Sequence, residues 1–218
     1  GHGRVFILQA KVALSPEARP DTTQVWFDPP STPYFYWCIP ESQREAVVGL
    51  IAASEQQAQE GLQGFLAGHG FDPIAYQGAQ VASYRSNGLP WKRVSQASIF
   101  LVGDAAAQVK MTTVGGAVTG LRGARAAARA ILTGADRGGE LKALCRRLDL
   151  HLLVRRVLNG LGPADYDQLL GLVNQWAHTV LSTQTRDDIH RVLFLSLLAQ
   201  PRFLPLAAKG LWRSVAAG

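Results

Sequence analysis

The chain has little of the residue types that build disulfide frameworks and metal centres. Its 218 residues include only 2 Cys and 1 Met. Cys38 and Cys145 stand in unrelated contexts without a metal-ligand spacing, which excludes a disulfide-rich fold and favours a reducing compartment, so we expect a cytoplasmic location. No apolar run reaches the length that a membrane-spanning helix needs.

Several catalytic and nucleotide-binding signatures are also missing. The sequence contains no G-x-S-x-G elbow, no P-loop, no paired catalytic carboxylates and no G-x-G-x-x-G. The histidines form no H-x-x-x-H pattern, so we expect surface or helix-capping roles for them and predict no metal site. They are His2, His69, His151, His178 and His190.

Positive charge is concentrated in the second half of the chain. Residues 1–96 hold 7 Lys and Arg against 8 Asp and Glu, whereas residues 97–218 hold 15 against 8. Such a surface suits the phosphates of a cofactor or substrate, or anionic lipid headgroups. Aromatic residues do not interleave with the basic ones, which argues against a nucleic-acid partner. Arg122, Arg125 and Arg129 share a helix face; we interpret it as solvated, with a phosphate clamp as the alternative.

The hydrophobic pattern predicts an α+β fold in three segments. Residues 1–96 are predicted to form an antiparallel sheet with a helix that Ser54 and Gln57 cap. Residues 97–134 are predicted to form a strand–loop–helix unit, and residues 135–218 a helical region. We expect the basic apolar tail of that region to dock on the protein's own core, with peripheral membrane contact as the alternative.

The strongest functional signal lies in the strand–loop–helix unit. Ile99–Val102 is an uninterrupted apolar run, typical of a strand covered on both faces. Gly103 permits a sharp turn, and Asp104 places a carboxylate at the end of the strand, where α/β sheets bind ligands. Gly115 and Gly116 precede an alanine-rich helix, so a ligand can reach the N–H groups of its first turn.

This unit resembles the second flavin-binding motif of the FAD-dependent hydroxylase superfamily. It is most similar to the geranylgeranyl reductase family, whose members have a G-D-A-A-x-x-V-K-x-T-T-x-G-G run. The resemblance implies that Asp104 hydrogen-bonds the ribityl chain of FAD. It also implies that the helix start after Gly115 and Gly116 faces the flavin ring or the pyrophosphate. Gly103 completes the expected cofactor-binding set. Without a flavin, the same residues would be a strand end, a helix cap and a tight turn.

A second resemblance lies upstream, in the sequence TPYFYWCIP of residues 32–40. It is similar to the P-x-x-Y-x-W-x-F-P substrate-pocket motif of the reductase family, which it matches at Trp37 and Pro40. It is also near the W-x-W-x-I-P of flavin-dependent halogenases, with Phe35 in place of the first Trp. The resemblance implies that residues 1–96 form an antiparallel substrate-binding sheet and that Phe35, Trp37 and Ile39 bind an apolar substrate. The same alternation also fits a plain aromatic strand.

The strand, G-x-G-x-x-G turn and helix that hold the ADP part of FAD in that superfamily have no counterpart in the sequence. We therefore expect the chain to correspond to the C-terminal part of longer family members. A truncated or cleaved product, one half of a split enzyme and a diverged module all fit this expectation. In each case the strand at residues 99–102 is expected to lack its usual neighbours, and such an edge favours self-association or a partner chain.

The resemblance implies flavin-dependent reduction of carbon–carbon double bonds in a prenyl lipid of the geranylgeranyl type. FAD is the expected cofactor, and NAD(P)H or another donor is left open as the reductant. Two alternatives stay open: a flavin-dependent hydroxylase or halogenase, and a non-catalytic fragment that needs a partner to bind FAD. The sequence thus leaves open whether the chain alone is an enzyme. No catalytic residue is assigned, and Cys38 is the nearest candidate for a proton donor.

Overall fold

A computed structural model describes residues 3–14, 19–86, 88–133, 139–173, 178–179, 182–183 and 189–216. The chain divides into two compact units, residues 1–81 and 82–218. The first contains an antiparallel sheet with one helix, and the second contains a hairpin followed by helices. This architecture confirms the predicted α+β class. The division into three functional segments stays a prediction.

The first unit is built on a five-stranded sheet. Its elements are β1 (Arg4–Ala13), β2 (Gln24–Trp26), β3 (Tyr36–Pro40), β4 (Glu45–Ala52), α1 (Glu55–His69) and β5 (Pro73–Ala82). The strands lie in the order β2-β3-β4-β1-β5. The pairs β1–β4, β2–β3 and β3–β4 are antiparallel, as predicted for this segment.

Helix α1 begins at the predicted capping residues. The Ser54 hydroxyl accepts a hydrogen bond from the Gln57 N–H at 3.2 Å. The Gln57 side chain in turn accepts a hydrogen bond from the Ala53 N–H at 3.0 Å. Main-chain N–H groups at the helix start, which have no acceptor within the helix, are therefore hydrogen-bonded. Gly70 ends the helix at φ +67°, a left-handed conformation that glycine adopts at little cost.

Side chains of β3 alternate between two faces of the sheet. Tyr36 and Cys38 are buried in the core that α1 covers. The Tyr36 ring stacks on Phe65 of α1 with 4.4 Å between ring centroids. Because successive residues of a strand point to opposite faces, Trp37 and Ile39 lie on the face that α1 does not cover.

The second unit begins with a hairpin of β6 (Trp91–Val94) and β7 (Ala97–Phe100), followed by a short 3-10 helix at Gly103–Ala106. Its helices are α2 (Ala117–Thr133), α3 (Gly139–Asn159), α4 (Pro163–Gly171), α5 (Ile189–Ala199) and α6 (Phe203–Ala216). The described part of the predicted helical region thus consists of helices joined by short turns. Residues 135–138, 174–177, 180–181, 184–188 and 217–218 of that region, and His2, lie outside the described residues.

The predicted buried strand at residues 99–102 is wrong in position and burial. Strand β7 is Ala97–Phe100, and within the described residues its one hydrogen-bonded neighbour is β6. The Ile99 side chain is 50% exposed. A strand with a single neighbour and no covering layer leaves its apolar side chains in water. The expected exposed strand edge is therefore present in β7, although this strand is paired with β6.

The C-terminal tail docks on the protein, as expected. Helix α6 packs on α3, and a Cβ added at Gly210 would lie 2.4 Å from the Val157 carbonyl oxygen. Two cations of α6 bind the buried Asp165 of α4: Lys209 Nζ at 2.5 Å and Arg213 Nη1 at 2.9 Å. Among the described helices, none is both long and apolar enough to cross a bilayer.

The Asp165 carboxylate supplies the first prediction. The Lys209 hydrogen bond and the Gly162 N–H hold the pKa of this carboxyl below its usual range. A depressed folded-state pKa contributes stability above the unfolded pKa, and this contribution is lost as pH falls through the folded pKa. Asp165→Asn should therefore lower the free energy of unfolding of the second unit by about 1–3 kcal/mol at neutral pH. Its deficit should shrink as pH falls below about 4, the ordinary value for Asp.

Urea unfolding followed by circular dichroism at several pH values measures this difference. Asp167→Asn is the matched control because Asp167 is an exposed carboxylate on the same helix, and it should leave the free energy of unfolding nearly unchanged. An equal loss in both variants, or a deficit that does not vary with pH, would contradict the assigned role of Asp165.

Candidate functional site

The turn after β7 positions the Asp104 carboxylate. Gly103 lies at φ +60°, which favours glycine. Its N–H donates to the Gln108 side-chain oxygen at 2.7 Å, and its carbonyl accepts from the Gln108 N–H at 3.0 Å. The turn that bears Asp104 is therefore closed by both the backbone and the side chain of Gln108.

Glycines of α2 allow the helix to approach this turn. A Cβ added at Gly123 would lie 2.0 Å from the Gln108 side-chain oxygen. A Cβ at Gly120 would lie 3.2 Å from the Gly103 Cα. The Thr119 hydroxyl also donates to the Gln108 carbonyl. The small residues of α2 thus fix where the turn lies against the helix.

The predicted cofactor-binding residues come together at the start of α2. A Cβ added at Gly116 would lie 3.2 Å from Asp104 Oδ1 and 3.4 Å from Val109 Cγ2. Gly115 precedes it, and α2 begins at the next residue after Gly116. The Asp104 side chain is exposed. The carboxylate and the two glycines therefore form an accessible corner at the helix start, and their contact with a flavin stays a prediction.

The loop between Asp104 and α2 closes on itself under backbone strain. The Lys110 N–H donates to the Gly115 carbonyl at 3.1 Å, and the Val114 N–H donates to the Lys110 carbonyl at 2.7 Å. Val114 lies at φ +53°, a conformation that β-branched residues rarely adopt. Such strain persists only where surrounding contacts hold it.

Helix α3 provides these contacts. The buried Arg155 donates from Nε to the Met111 carbonyl at 3.2 Å and from Nη2 to the Thr112 carbonyl at 2.9 Å. His151 Nδ1 lies 2.8 Å from the Thr112 hydroxyl oxygen. The predicted surface or capping role is therefore wrong for His151, which is buried.

The sequence contains a signal for these supports, although the predicted site residues do not include them. Buried positions of α3 recur at spacings of three and four residues: Leu141, Leu144, Leu148, His151 and Arg155. A buried cation requires acceptors, since leaving a charge without them is costly. Arg155 on the apolar face of a predicted helix therefore indicates a polar contact with a neighbouring segment, although it does not say which one.

The three predicted substrate residues share the open face of the sheet. The Phe35 ring lies edge-to-face with Phe27 at 6.2 Å and with Trp37 at 6.1 Å. Trp37 is opposite Gly49 of β4, and a Cβ added at Gly49 would lie 2.5 Å from the Trp37 ring. Ile39 extends this row and is partly exposed. An apolar surface of two rings and one aliphatic side chain results.

Cys38 does not belong to this surface. Its side chain lies in the core on the α1 side of the sheet. Burial raises the pKa of the Cys38 thiol. Strand alternation directs Cys38 and Trp37 to opposite faces, so this arrangement does not support Cys38 as a candidate proton donor, and the catalytic residue stays unassigned.

The hold of α3 on the loop supplies a second prediction. Arg155→Leu keeps an apolar stem but leaves two main-chain carbonyls without their donor. It should lower the free energy of unfolding by about 2–3 kcal/mol and speed amide hydrogen exchange in residues 110–116. Arg156→Leu is the control because Arg156 is the exposed neighbour on the same helix. Equal exchange rates in the two variants would show that Arg155 does not hold the loop.

The fold of the chain is similar to that of solved structures. A geranylgeranyl bacteriochlorophyll reductase-like protein from Thermoplasma acidophilum superposes with a TM-score of 0.62 and 18% identity, over 93% of this chain and 54% of that one. The flavin-dependent halogenase CmlS has a TM-score of 0.48 and 14% identity, over 93% of this chain and 45% of that one. No family model and no curated protein matches. The chain thus spans about half the length of these two proteins, and the first establishes its fold.

Proposed function

We propose that the chain is part of a flavin-dependent reductase that saturates carbon–carbon double bonds of a prenyl-type lipid. The observation that supports this most directly is the proximity of the Asp104 carboxylate to Gly116 at the start of α2. The likeness in fold to a geranylgeranyl bacteriochlorophyll reductase-like protein agrees with it.

The corner at the start of α2 suits the polar part of a flavin. A carboxylate such as Asp104 accepts hydrogen bonds from hydroxyl groups, which the ribityl chain provides. The first N–H groups of α2 point out of the helix start and favour negative charge, such as a pyrophosphate. A side chain at Gly116 would occupy the space beside Asp104, so glycine keeps that space accessible. When bound, a reduced flavin would supply the hydride for the reduction.

The open face of the first unit suits an apolar chain. Phe35, Trp37 and Ile39 present hydrocarbon surface and no charge. Each methylene group moved from water onto such a surface contributes at most about 0.8 kcal/mol. A prenyl chain lying along the row of rings would gain this energy repeatedly, which supports a long hydrocarbon substrate.

An oxygen-using hydroxylase or halogenase is the second candidate. The near match to W-x-W-x-I-P favours it, and the ladder of Phe27, Phe35 and Trp37 would also stack on an aromatic substrate. Oxygen uptake coupled to an aromatic substrate would favour this reaction. Anaerobic reduction of a prenyl chain would favour the reductase.

A module that needs a partner to bind FAD is the third candidate. Apolar side chains of α2 are 41% to 83% exposed; they are Val118, Leu121, Ile131 and Leu132. Exposed apolar patches mark interaction surfaces, and the fold relative has about as much additional chain again. The occupant we propose is the nucleotide-binding half of a flavin domain. Self-association of the chain in sedimentation velocity would instead favour a second copy.

The cofactor assignment leads to the third prediction. Asp104→Ala removes a charged acceptor and should weaken FAD binding by about 1–3 kcal/mol, measured by quenching of flavin fluorescence on titration with the protein. Asp167→Ala removes an exposed carboxylate from α4 and should leave the affinity unchanged. Equal affinities of wild type and Asp104→Ala would refute the role of Asp104. If the wild-type chain has no affinity for FAD, the partner-dependent candidate is favoured.

The substrate assignment leads to the fourth prediction. Trp37→Ala should weaken binding of farnesol, used as a prenyl probe in calorimetry, by about 1–2 kcal/mol because a large apolar surface is lost. Tyr76→Ala is the control: Tyr76 is an exposed aromatic residue on β5. An equal loss in both variants would mean that the probe binds without preference for the row at Trp37.

A further inference from the structure

Helix α6 has an exposed apolar side in addition to the side that packs on the protein. Gly210 meets Val157 of α3, and Leu206, four residues earlier, is buried on the same side. A second set of apolar residues recurs at spacings of three and four, which is typical of one helix face. This set, the exposed stripe, consists of Leu204, Ala208, Leu211, Trp212 and Val215. The contact with α3 therefore leaves an apolar stripe of α6 in water.

The exposed stripe presents large side chains to solvent. Trp212 is 77% exposed, Val215 72% and Leu204 55%. Single exposed apolar residues are ordinary on a protein surface, but a row of them along one helix marks an interaction surface. An indole ring combines a large apolar area with one N–H donor, and tryptophan is accordingly enriched where hydrocarbon meets water. The stripe thus suits a partner that is apolar inside and polar at its boundary.

Positive charge borders the exposed stripe. Because residues are offset by about 100° around a helix axis, Lys209 and Arg213 lie between the stripe and the buried side of α6. Both bind Asp165, yet their side chains stay 45% and 51% exposed. Arg202 directly precedes the helix, and residues 189–218 include four Lys and Arg but no Asp or Glu. A partner that matches this surface therefore has negative charge beside its apolar part.

We propose that the exposed stripe of α6 binds the surface of a membrane that contains anionic lipids. Such a surface has hydrocarbon beneath a layer of negative headgroups, which matches an apolar stripe bordered by cations. The 14 residues of α6 are fewer than the roughly 20 that a membrane span needs, so the helix lies along the surface. Its contact with α3 already orders it, which lowers the entropic cost of binding. The proposal does not depend on flavin binding.

Sedimentation of the full chain with vesicles tests the proposal. Vesicles of phosphatidylcholine and phosphatidylglycerol in equal amounts should bind wild type. Trp212→Ala should weaken binding by about tenfold because the largest apolar side chain of the stripe is lost, and Leu204→Ala should also weaken it. Leu132→Ala is the matched control, since Leu132 is 83% exposed on α2 and lies outside the stripe; it should bind like wild type. Circular dichroism verifies that each variant is folded, and Leu204→Ala suffices if Trp212→Ala is not.

The dependence on charge tests the anionic lipid. Binding should be weaker on vesicles of phosphatidylcholine alone, and added salt should weaken binding to the anionic vesicles because it screens the surface charge. Arg202→Gln should weaken binding to the anionic vesicles by about fivefold. Arg93→Gln, which removes an exposed arginine from β6, should not.

Three results would overturn the proposal on the vesicles themselves: wild type does not bind the anionic vesicles, phosphatidylcholine alone binds as strongly, or Leu132→Ala weakens binding as much as Leu204→Ala. Sedimentation velocity provides a fourth. If wild type self-associates without binding vesicles, and Trp212→Ala abolishes that association, the exposed stripe is a contact with a second copy of the chain and the membrane proposal is wrong.

Discussion

The buried guanidinium of Arg155 is the contact on which the loop before α2 depends. It reaches from α3 to the carbonyls of Met111 and Thr112 while being only 3% exposed. The guanidinium and the two carbonyls all require this contact, because buried polar groups cannot form hydrogen bonds with water instead. The same loop holds Val114 at a strained positive φ. The energy of the Arg155 contact offsets that strain, and the start of α2 is positioned as a result.

A second constraint acts from the opposite end of the loop. The turn at Gly103 lies against α2 because Gly120 and Gly123 have no side chains that would keep it away. Asp104 is therefore held between a turn that α2 contacts and a helix start that α3 positions through the loop. Backbone geometry, more than side-chain length, brings the carboxylate to Gly116. This is the arrangement that a ligand bound through helix N–H groups requires.

Local features of the structure were predictable from the sequence, and features that depend on distant neighbours were not. Helix α1 follows from Ser54, Gln57 and Gly70, whose capping bonds span a few residues. The two faces of β3 follow from strand alternation alone. The exposure of Ile99 did not follow from the sequence, because exposure depends on which strands and helices cover β7.

The same distinction applies to the candidate site. The resemblance of the motif pointed to Asp104 and Gly116 as a pair, and the fold brings them together. It did not identify Gln108 as a support, because Gln108 stands at an unspecified position of the motif, although it bonds Gly103 only five residues away. It could not identify Arg155, because this residue reaches the loop from α3, more than 40 residues along the chain. For the arginines of α2, helical spacing correctly placed Arg122 and Arg125 on one face. It could not predict the cavity that both of them line, because residues of α3 form its other wall.

Helix α2 keeps its surfaces separate through its small residues. Alanine and glycine fill the side that packs on the protein, so the helix approaches both the Gly103 turn and α3 closely. Residues are offset by about 100° around the axis, so Arg125 lies on the same exposed side as Leu121, four residues before it, and Leu132, seven residues after it. The small residues lie on the opposite, buried side. A ligand on the exposed side can bind without replacing the contacts that position the helix, because these contacts come from the buried side.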